Sequence, residues 1–252
     1  MKISVITVCF NSAETIADTL KSIVIQTHGE IEQIVIDGGS SDSTLALVRA
    51  QALPGSIVIS EPDNGIYHAM NKGIALATGD VVGFINADDF YPTPEVLALV
   101  ASAFESSGAD CCYGDLCYVQ QDDVSKTLRY WRSAPFSPGL FERGWCPPHP
   151  TFFVRREVCV RLGGFDLSFN IAADFELMMR YLEAAHITSP YIPKVLVKMR
   201  LGGTTNRSLI NIFKQNIEIR RALSNIGRRS SLVGFLFNKL FIRAIQFISR
   251  PT

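Results

Sequence analysis

Val81-Val82-Gly83-Phe84-Ile85-Asn86-Ala87-Asp88-Asp89-Phe90 divides into two halves of different character. The first half is a short apolar run, with Gly79-Asp80 before it; Pro92 and Pro94 follow the whole stretch. Such a run reads as a buried strand of an α/β sheet, parallel to its neighbours. The second half sets an amide and two carboxylates at the strand's end, bounded by aromatics. In open α/β sheets, ligands bind outside the carboxyl ends of the strands. Carboxylates crowded there repel one another unless a cation or a donor group compensates them. A hard divalent cation suits the place, because Mg²⁺ takes few protein carboxylates and completes its shell with water and phosphate oxygens. The alternative is that Asp88 or Asp89 caps the helix that Pro92 and Glu95 begin.

Upstream, the pattern alternates. Strand-like runs at Ile3–Cys9, Ile31–Ile36 and Ser56–Ser60 are separated by helical patterns at Ile16–Val24, Leu45–Ala52 and Ile66–Ala77. Strands alternating with helices predict a parallel, doubly wound sheet. If the strands run parallel, Thr7 and Asn11, Asp37 and Asp63 share one sheet edge with Asp88. Asp37-Gly38-Gly39-Ser40-Ser41 follows the second strand and lacks the G-x-G-x-x-G spacing, so it is no dinucleotide fingerprint. Each of these polar residues also fits turn and cap chemistry taken singly.

Downstream the rhythm changes. A helix is expected over Pro94–Ser106, and strands over Ala109–Gln120 and Lys126–Arg132. The proline-rich Ala134–Pro150 reads as a loop. A short strand at Thr151–Val154, helices at Arg156–Leu162 and Ile171–Ala185, and one or two strands within Ile187–Leu201 complete this half. The chain from Ser208 is helical by pattern. Tyr130, Trp131 and Trp145 flank the loop and fit either sugar stacking or local core.

The 252 residues contain 47% apolar side chains, enough for a full core. Met1-Lys2 runs directly into a strand-like segment, which gives no secretory pattern. The six cysteines lack C-x-x-C spacing and read as buried thiols of a cytoplasmic protein. The balance of 24 basic and 24 acidic residues conceals a lopsided distribution. From Gly203 onward nine basic residues face one acid, Glu218. Leu232–Ile248 is strongly apolar, with Lys239 and Arg243 four residues apart. It is interrupted by charge and too short to span a bilayer. It fits an interfacial helix on an anionic membrane surface, or else a helix packed on the domain or in a homodimer.

Five stretches together carry a resemblance: Val5–Asn11 with its Phe-Asn end, Asp37–Thr44, Ser60–Tyr67, Met70-Asn71-Lys72-Gly73, and Asn86-Ala87-Asp88-Asp89. In this order and at these spacings the chain resembles the family 2 glycosyltransferases over roughly residues 2–200. The resemblance implies a GT-A fold: a Rossmann-like α/β domain with a mostly parallel central sheet flanked by helices. Residues 1–202 would form it, 1–107 as the nucleotide-sugar-binding half and 108–202 as the acceptor half, with 203–252 a basic helical tail. Thr7, Asn11, Asp37 and Asp63 would line the nucleotide pocket, with Lys72 near it. Asn86 stands where many relatives have Asp, which makes its expected ribose contact neutral. Asp88 would rest on the Mn²⁺ or Mg²⁺ that bridges the donor diphosphate. His149 matches a position that faces the diphosphate or metal. Asp174, in Ala172-Ala173-Asp174-Phe175-Glu176, matches the general base.

The implied activity is inverting, metal-dependent transfer of a sugar from a nucleotide-diphosphate donor to a glycan acceptor. The acceptor expected from the family and the tail is lipid-linked, in bacterial surface polysaccharide synthesis at the inner face of the cell membrane. No nucleic-acid partner is expected. Two alternatives are a sugar-1-phosphate nucleotidyltransferase and a non-catalytic nucleotide-sugar- or glycan-binding protein. The first would need a glycine-rich, basic loop after strand one, and Cys9-Phe10-Asn11-Ser12-Ala13 is neither.

Overall fold

The computed structural model describes residues 1–201 and 209–228, with 234, 235, 238, 246 and 247. Its first half has seven elements. They are β1 (Ile3–Cys9), α1 (Ile16–Val24), β2 (Ile31–Asp37), α2 (Thr44–Gln51), β3 (Ile57–Ser60), α3 (Ile66–Leu76) and β4 (Val81–Phe84). β1 is buried along its whole length, as an apolar run flanked on both faces by helices must be. The order β3-β2-β1-β4 is parallel throughout, with Cys9 level with Asp37, Asp37 with Ser60, and Ile6 with Phe84. The polar residues after β1, β2, β3 and β4 therefore emerge on one edge, as the alternating pattern predicts.

Beyond β4 the sheet becomes mixed. β5 (Asp89–Phe90), α4 (Val96–Ser107), β6 (Cys111–Val119), β7 (Thr127–Trp131), β8 (Phe153–Arg155), α5 (Arg156–Leu162), α6 (Ala173–Met179) and β9 (Tyr191–Arg200) follow. One nine-stranded sheet runs β3-β2-β1-β4-β8-β6-β9-β5, with β7 on β6. β8 joins β4 and β6 antiparallel, β5 joins β9 antiparallel, and β6 and β9 run parallel. The two halves thus share a single sheet. Two glycines permit its closest approaches. A Cβ on Gly83 would fall 2.3 Å from the Phe153 ring, and one on Gly73 would fall 2.4 Å from Ile6.

Asp88 and Asp89 do not cap a helix: Asp89 enters β5, and α4 starts seven residues beyond it, at Val96. The helix expected over Ile171–Ala185 is α6 followed by a π turn at Arg180–Ala184. Tyr130 and Trp145 are buried, Trp145 against Tyr113, Phe136 and Phe141. They belong to the local core.

The boundary expected at residue 202 is followed by a helix. α7 (Leu209–Asn225) packs on α6, and Ile219, Ala222 and Leu223 are buried in the main core. Its inner face is apolar at helical spacing, which obliges it to cover the domain. The remainder of the apolar run at 232–248, where an amphipathic helix is expected, lies outside the described residues apart from 234, 235, 238, 246 and 247.

Candidate active site at the strand ends

The loops after β1 and β2 are knitted into one rim. Asn11 adopts a left-handed backbone, φ 48°. Its N–H donates to Ser40 Oγ at 2.8 Å, and its Oδ1 accepts from the Ser41 N–H at 2.9 Å. Asp37, wholly buried, accepts from the Ser40 N–H and from the Ser40 and Ser60 hydroxyls at 3.1, 2.5 and 2.6 Å. Burial would raise its carboxyl, but these bonds outweigh it and hold Asp37 below its ordinary range. Its acceptor positions serve the rim rather than open space. Gly39 takes a left-handed φ of 82° beside Pro62, a conformation suited to glycine. Phe10 stands 63% exposed on this rim.

After β3, Asp63 Oδ1 pairs with Lys72 at 2.7 Å and His68 at 3.0 Å, and Lys72 also reaches Glu61. Asp63 Oδ2 is buried with no partner among the described residues. The same holds for Thr7 Oγ1, Asn86 Oδ1, Asp89 Oδ1 and His149 Nε2. A buried polar atom without a partner costs roughly 1–3 kcal/mol. At strand ends such atoms suit a surface that a polar ligand would complete.

The turn after β4 is pinned from behind. Asp89 N–H donates to Asn86 O, Thr19 Oγ1 donates to Asp89 O, and Arg200 Nη1 donates to Asp88 O, at 3.0, 2.7 and 2.8 Å. Burial pushes the carboxyl of Asp88 up, and that of Asp89 well up. The turn is rich in acceptors, with Asn86 Oδ1 and Asp89 Oδ1 unmatched. No group of three or more His, Cys, Asp or Glu that could by itself hold a metal ion occurs among the described residues. This donor set fits a hard cation that rests on Asp88 and takes its other ligands from phosphate and water. It does not fit a cage made wholly of protein.

The second half brings two side chains to this edge. His149 is buried, stacked on Phe84 at 5.3 Å and edge-on to Phe165 at 5.5 Å, and burial holds its imidazole below the usual range. Asp174 stands in the first turn of α6, and its Oδ1 accepts from its neighbour's N–H, Phe175, at 2.8 Å. Tyr67 of α3 donates to Ile171 O at 2.8 Å and reaches Asp174 Oδ1 at 3.3 Å. Burial and the Asp174 charge push the Tyr67 phenol well up, so it remains a donor. Tyr67 stacks on Phe165 at 5.4 Å, which joins Asp174, His149 and the end of β4 through one aromatic contact set.

A separate cavity of about 330 Å³ is lined by Glu14, Thr15, Asp18, Gln121, Asp122, Val124 and Arg200. It shares Arg200 with the turn but contains none of the expected site residues. The local sequence assigns no task to Tyr67 or Phe10. Their signal was an aromatic beside a polar strand end; their partners lie too far along the chain to be read.

Comparison with known proteins bears on this geometry. The model of glycosyl transferase family 2 matches residues 4–161. An uncharacterized glycosyltransferase of Mycobacterium tuberculosis (strain ATCC 25618 / H37Rv) is 37% identical over 249 residues, 97% of this chain and 91% of that protein. A PGL/p-HBAD biosynthesis glycosyltransferase of the same strain is 32% identical over 208 residues, 81% and 78% of the two chains. Among solved structures, S. aureus TarS 1-349 in complex with UDP-GlcNAc superposes with a TM-score of 0.70 at 19% identity, over 96% of this chain and 73% of that one. The mannosyltransferase PcManGT from Pyrobaculum calidifontis, in complex with GDP-Man and Mn²⁺, gives 0.64 at 19% identity, over 96% and 69%. At such identities the likeness is one of fold, and the fold is GT-A, a curled mixed sheet flanked by helices.

Proposed function

The chain belongs to the family 2 glycosyltransferases, and we propose that it transfers a hexose from a nucleoside-diphosphate donor to an acceptor hydroxyl with inversion. One observation carries this reading. A half-buried carboxylate, Asp174, is held by Tyr67 beside an edge where Thr7, Asp63, Asn86 and His149 each keep a buried polar atom unmatched. Those atoms suit the polar donor, and Phe10 offers an exposed face for its base. Asp174 takes the proton from the acceptor oxygen as that oxygen attacks the anomeric carbon. The bond to the diphosphate breaks on the opposite side, which inverts the centre. Asp88 would hold a divalent cation, Mn²⁺ or Mg²⁺, which when bound neutralises charge on the leaving diphosphate. His149, kept neutral by burial, suits a place beside that diphosphate.

Asp174→Asn is nearly isosteric and cannot take a proton. Its kcat should fall ~10²-fold or more with nucleotide affinity retained. UDP-GlcNAc and GDP-mannose turnover, UDP and GDP calorimetry, and the anomeric configuration of the product by NMR measure this. A product of retained configuration overturns the single-displacement reading. Equal losses in binding and turnover move Asp174 from base to donor contact.

The acceptor in this reading is a lipid-linked glycan, met at the cytoplasmic face of an anionic membrane. Support comes from the basic C-terminal segment and from Phe213 and Ile217, exposed on α7 beside exposed Lys214. Among the described residues no helix is long and apolar enough to cross a membrane. Attraction of cations to anionic lipid is worth about 1 kcal/mol each and weakens with salt.

A further inference from the structure

We propose that Glu218, on α7, is the positioning residue of the catalytic base, an assignment that rests on Asp174 being that base. α6 begins after Ala172, whose side chain cannot cap a helix. The N–H groups of Asn170, Ile171 and Ala172, at and just before its start, lie outside the helical ladder and need acceptors from elsewhere. Glu218 supplies them from a distant part of the chain. Its Oε1 accepts from the Asn170 N–H at 3.0 Å, and its Oε2 from the Ile171 and Ala172 N–H groups at 2.9 Å each. Hydrogen bonds to an ionised acceptor are roughly twice as strong as neutral ones. Burial opposes the charge, but the three amides outweigh it, so Glu218 stays ionised below the usual carboxylate range.

The same peptide is gripped from its other side. Ile171 O accepts from the Tyr67 phenol that also reaches Asp174 Oδ1. The segment entering the base's helix is thus fixed between α7 on its amide side and α3 on its carbonyl side. One turn along α7, Arg221 donates to Ser168 O at 2.7 Å and lies over the Phe169 ring, 3.9 Å from its centroid. Glu218 touches none of the residues read as donor contacts. It is also the only acid among nine cations from Gly203 onward, a choice that affinity for an anionic surface does not favour. Its contribution should fall on the orientation of Asp174, where a misplacement of about 1 Å can cost 10²-fold in rate.

The test uses the full chain with Mn²⁺ and, as donor probes, UDP-GlcNAc and GDP-mannose. Glu218→Gln keeps the shape but loses the charge, and Glu218→Asp keeps the charge on a shorter arm. The expected result for Glu218→Gln is a fall in kcat of ~10-fold or more, with donor KM and UDP or GDP affinity within about two-fold. Glu218→Asp should recover part of the rate. In an Asp174→Asn background, Glu218→Gln should cost nothing further, because the residues act as one unit. Hydrogen exchange should quicken at the amides of 170–172 with global stability little changed. Unchanged kcat in Glu218→Gln overturns the proposal; so does a loss that multiplies with Asp174→Asn, or one shared with KM. If Asp174→Asn itself keeps full turnover, the base reading fails and this proposal with it. If neither probe is turned over, unchanged exchange at 170–172 in Glu218→Gln overturns the clamp, and faster exchange upholds it.

Discussion

Burial pushes the carboxyl of Asp88 up, and neither its own backbone nor the Arg200 guanidinium brings it back. A cation would offset that cost, and Asp88, unlike the wholly buried Asp89, is only partly buried. Asp88→Ala should therefore abolish the Mn²⁺ dependence of UDP and GDP binding and reduce turnover below detection, with the fold intact. Calorimetry with and without Mn²⁺ checks it; near-native turnover at saturating Mn²⁺ would show that Asp88 is not the ligand. At this scale the sequence was legible wherever a residue's place follows from its own strand. Thr7, Asn11, Asp63, Asn86 and Asp88 stand at strand ends, and an apolar run locates each end. Tyr67 was not legible in this way. Its task depends on Ile171, 104 residues away, and no local pattern announces such a contact.

Among elements, β1 to β4 were readable because buried parallel strands write themselves as apolar runs. β5 was not, since two residues hydrogen-bonded to β9 leave no periodicity to detect. The switch at β4 was equally silent: β1 runs parallel on one side and β8 antiparallel on the other. Gly83 makes that switch possible, because the wholly buried Phe153 ring occupies the space a Cβ would need. Gly83→Ala should destabilise the fold by about 1–3 kcal/mol in urea titrations, and Phe153→Leu beside it should restore part of the loss.

Glu32 does similar joining at the strands' beginnings. It accepts from Lys2 Nζ at 2.6 Å, Ser4 Oγ at 2.6 Å, and the Thr78 N–H and hydroxyl at 2.7 and 2.5 Å. Burial raises its carboxyl, but these bonds outweigh it and bring it from 4.5 down to about 2. A depressed carboxylate adds stability that is complete above its unfolded value and is lost as pH falls through its folded one. The window thus runs from about pH 4.5 down to about 2. Glu32→Gln should lower the urea midpoint at pH 7 and flatten the acid limb across that window. Parallel midpoint curves for the two proteins would remove Glu32 from the account.

The molecule as a whole depends on α7 more than its basic composition suggested. Beyond its end, Arg228 pairs with Glu142 and with buried Glu183, each at 3.2 Å, and Glu183 accepts from the Gly139 N–H. The helix thus braces both the proline-rich loop and the approach to Asp174. Composition alone suggests a separate tail here, because nine cations from Gly203 onward outnumber the four buried apolar residues described there, Ile219, Ala222, Leu223 and Phe235. Two truncations separate the roles. Removal of 230–252 should leave a folded chain that turns over a soluble acceptor analogue but releases anionic vesicles. Removal of 209–252 should expose the core beneath Ile219, Ala222 and Leu223 and lower the melting temperature steeply. Vesicle co-sedimentation and thermal unfolding distinguish them, and equal melting temperatures would deny α7 its structural part.

The three amides at 170–172 wait for an acceptor made 46 to 48 residues later. During translation the sheet edge and its polar rim leave the ribosome well before Glu218 does. A nascent chain can therefore pair its first four strands while the segment before Asp174 is still unfastened. Fastening of the segment before Asp174 is thus a late event of synthesis, set by the place of Glu218 in the chain.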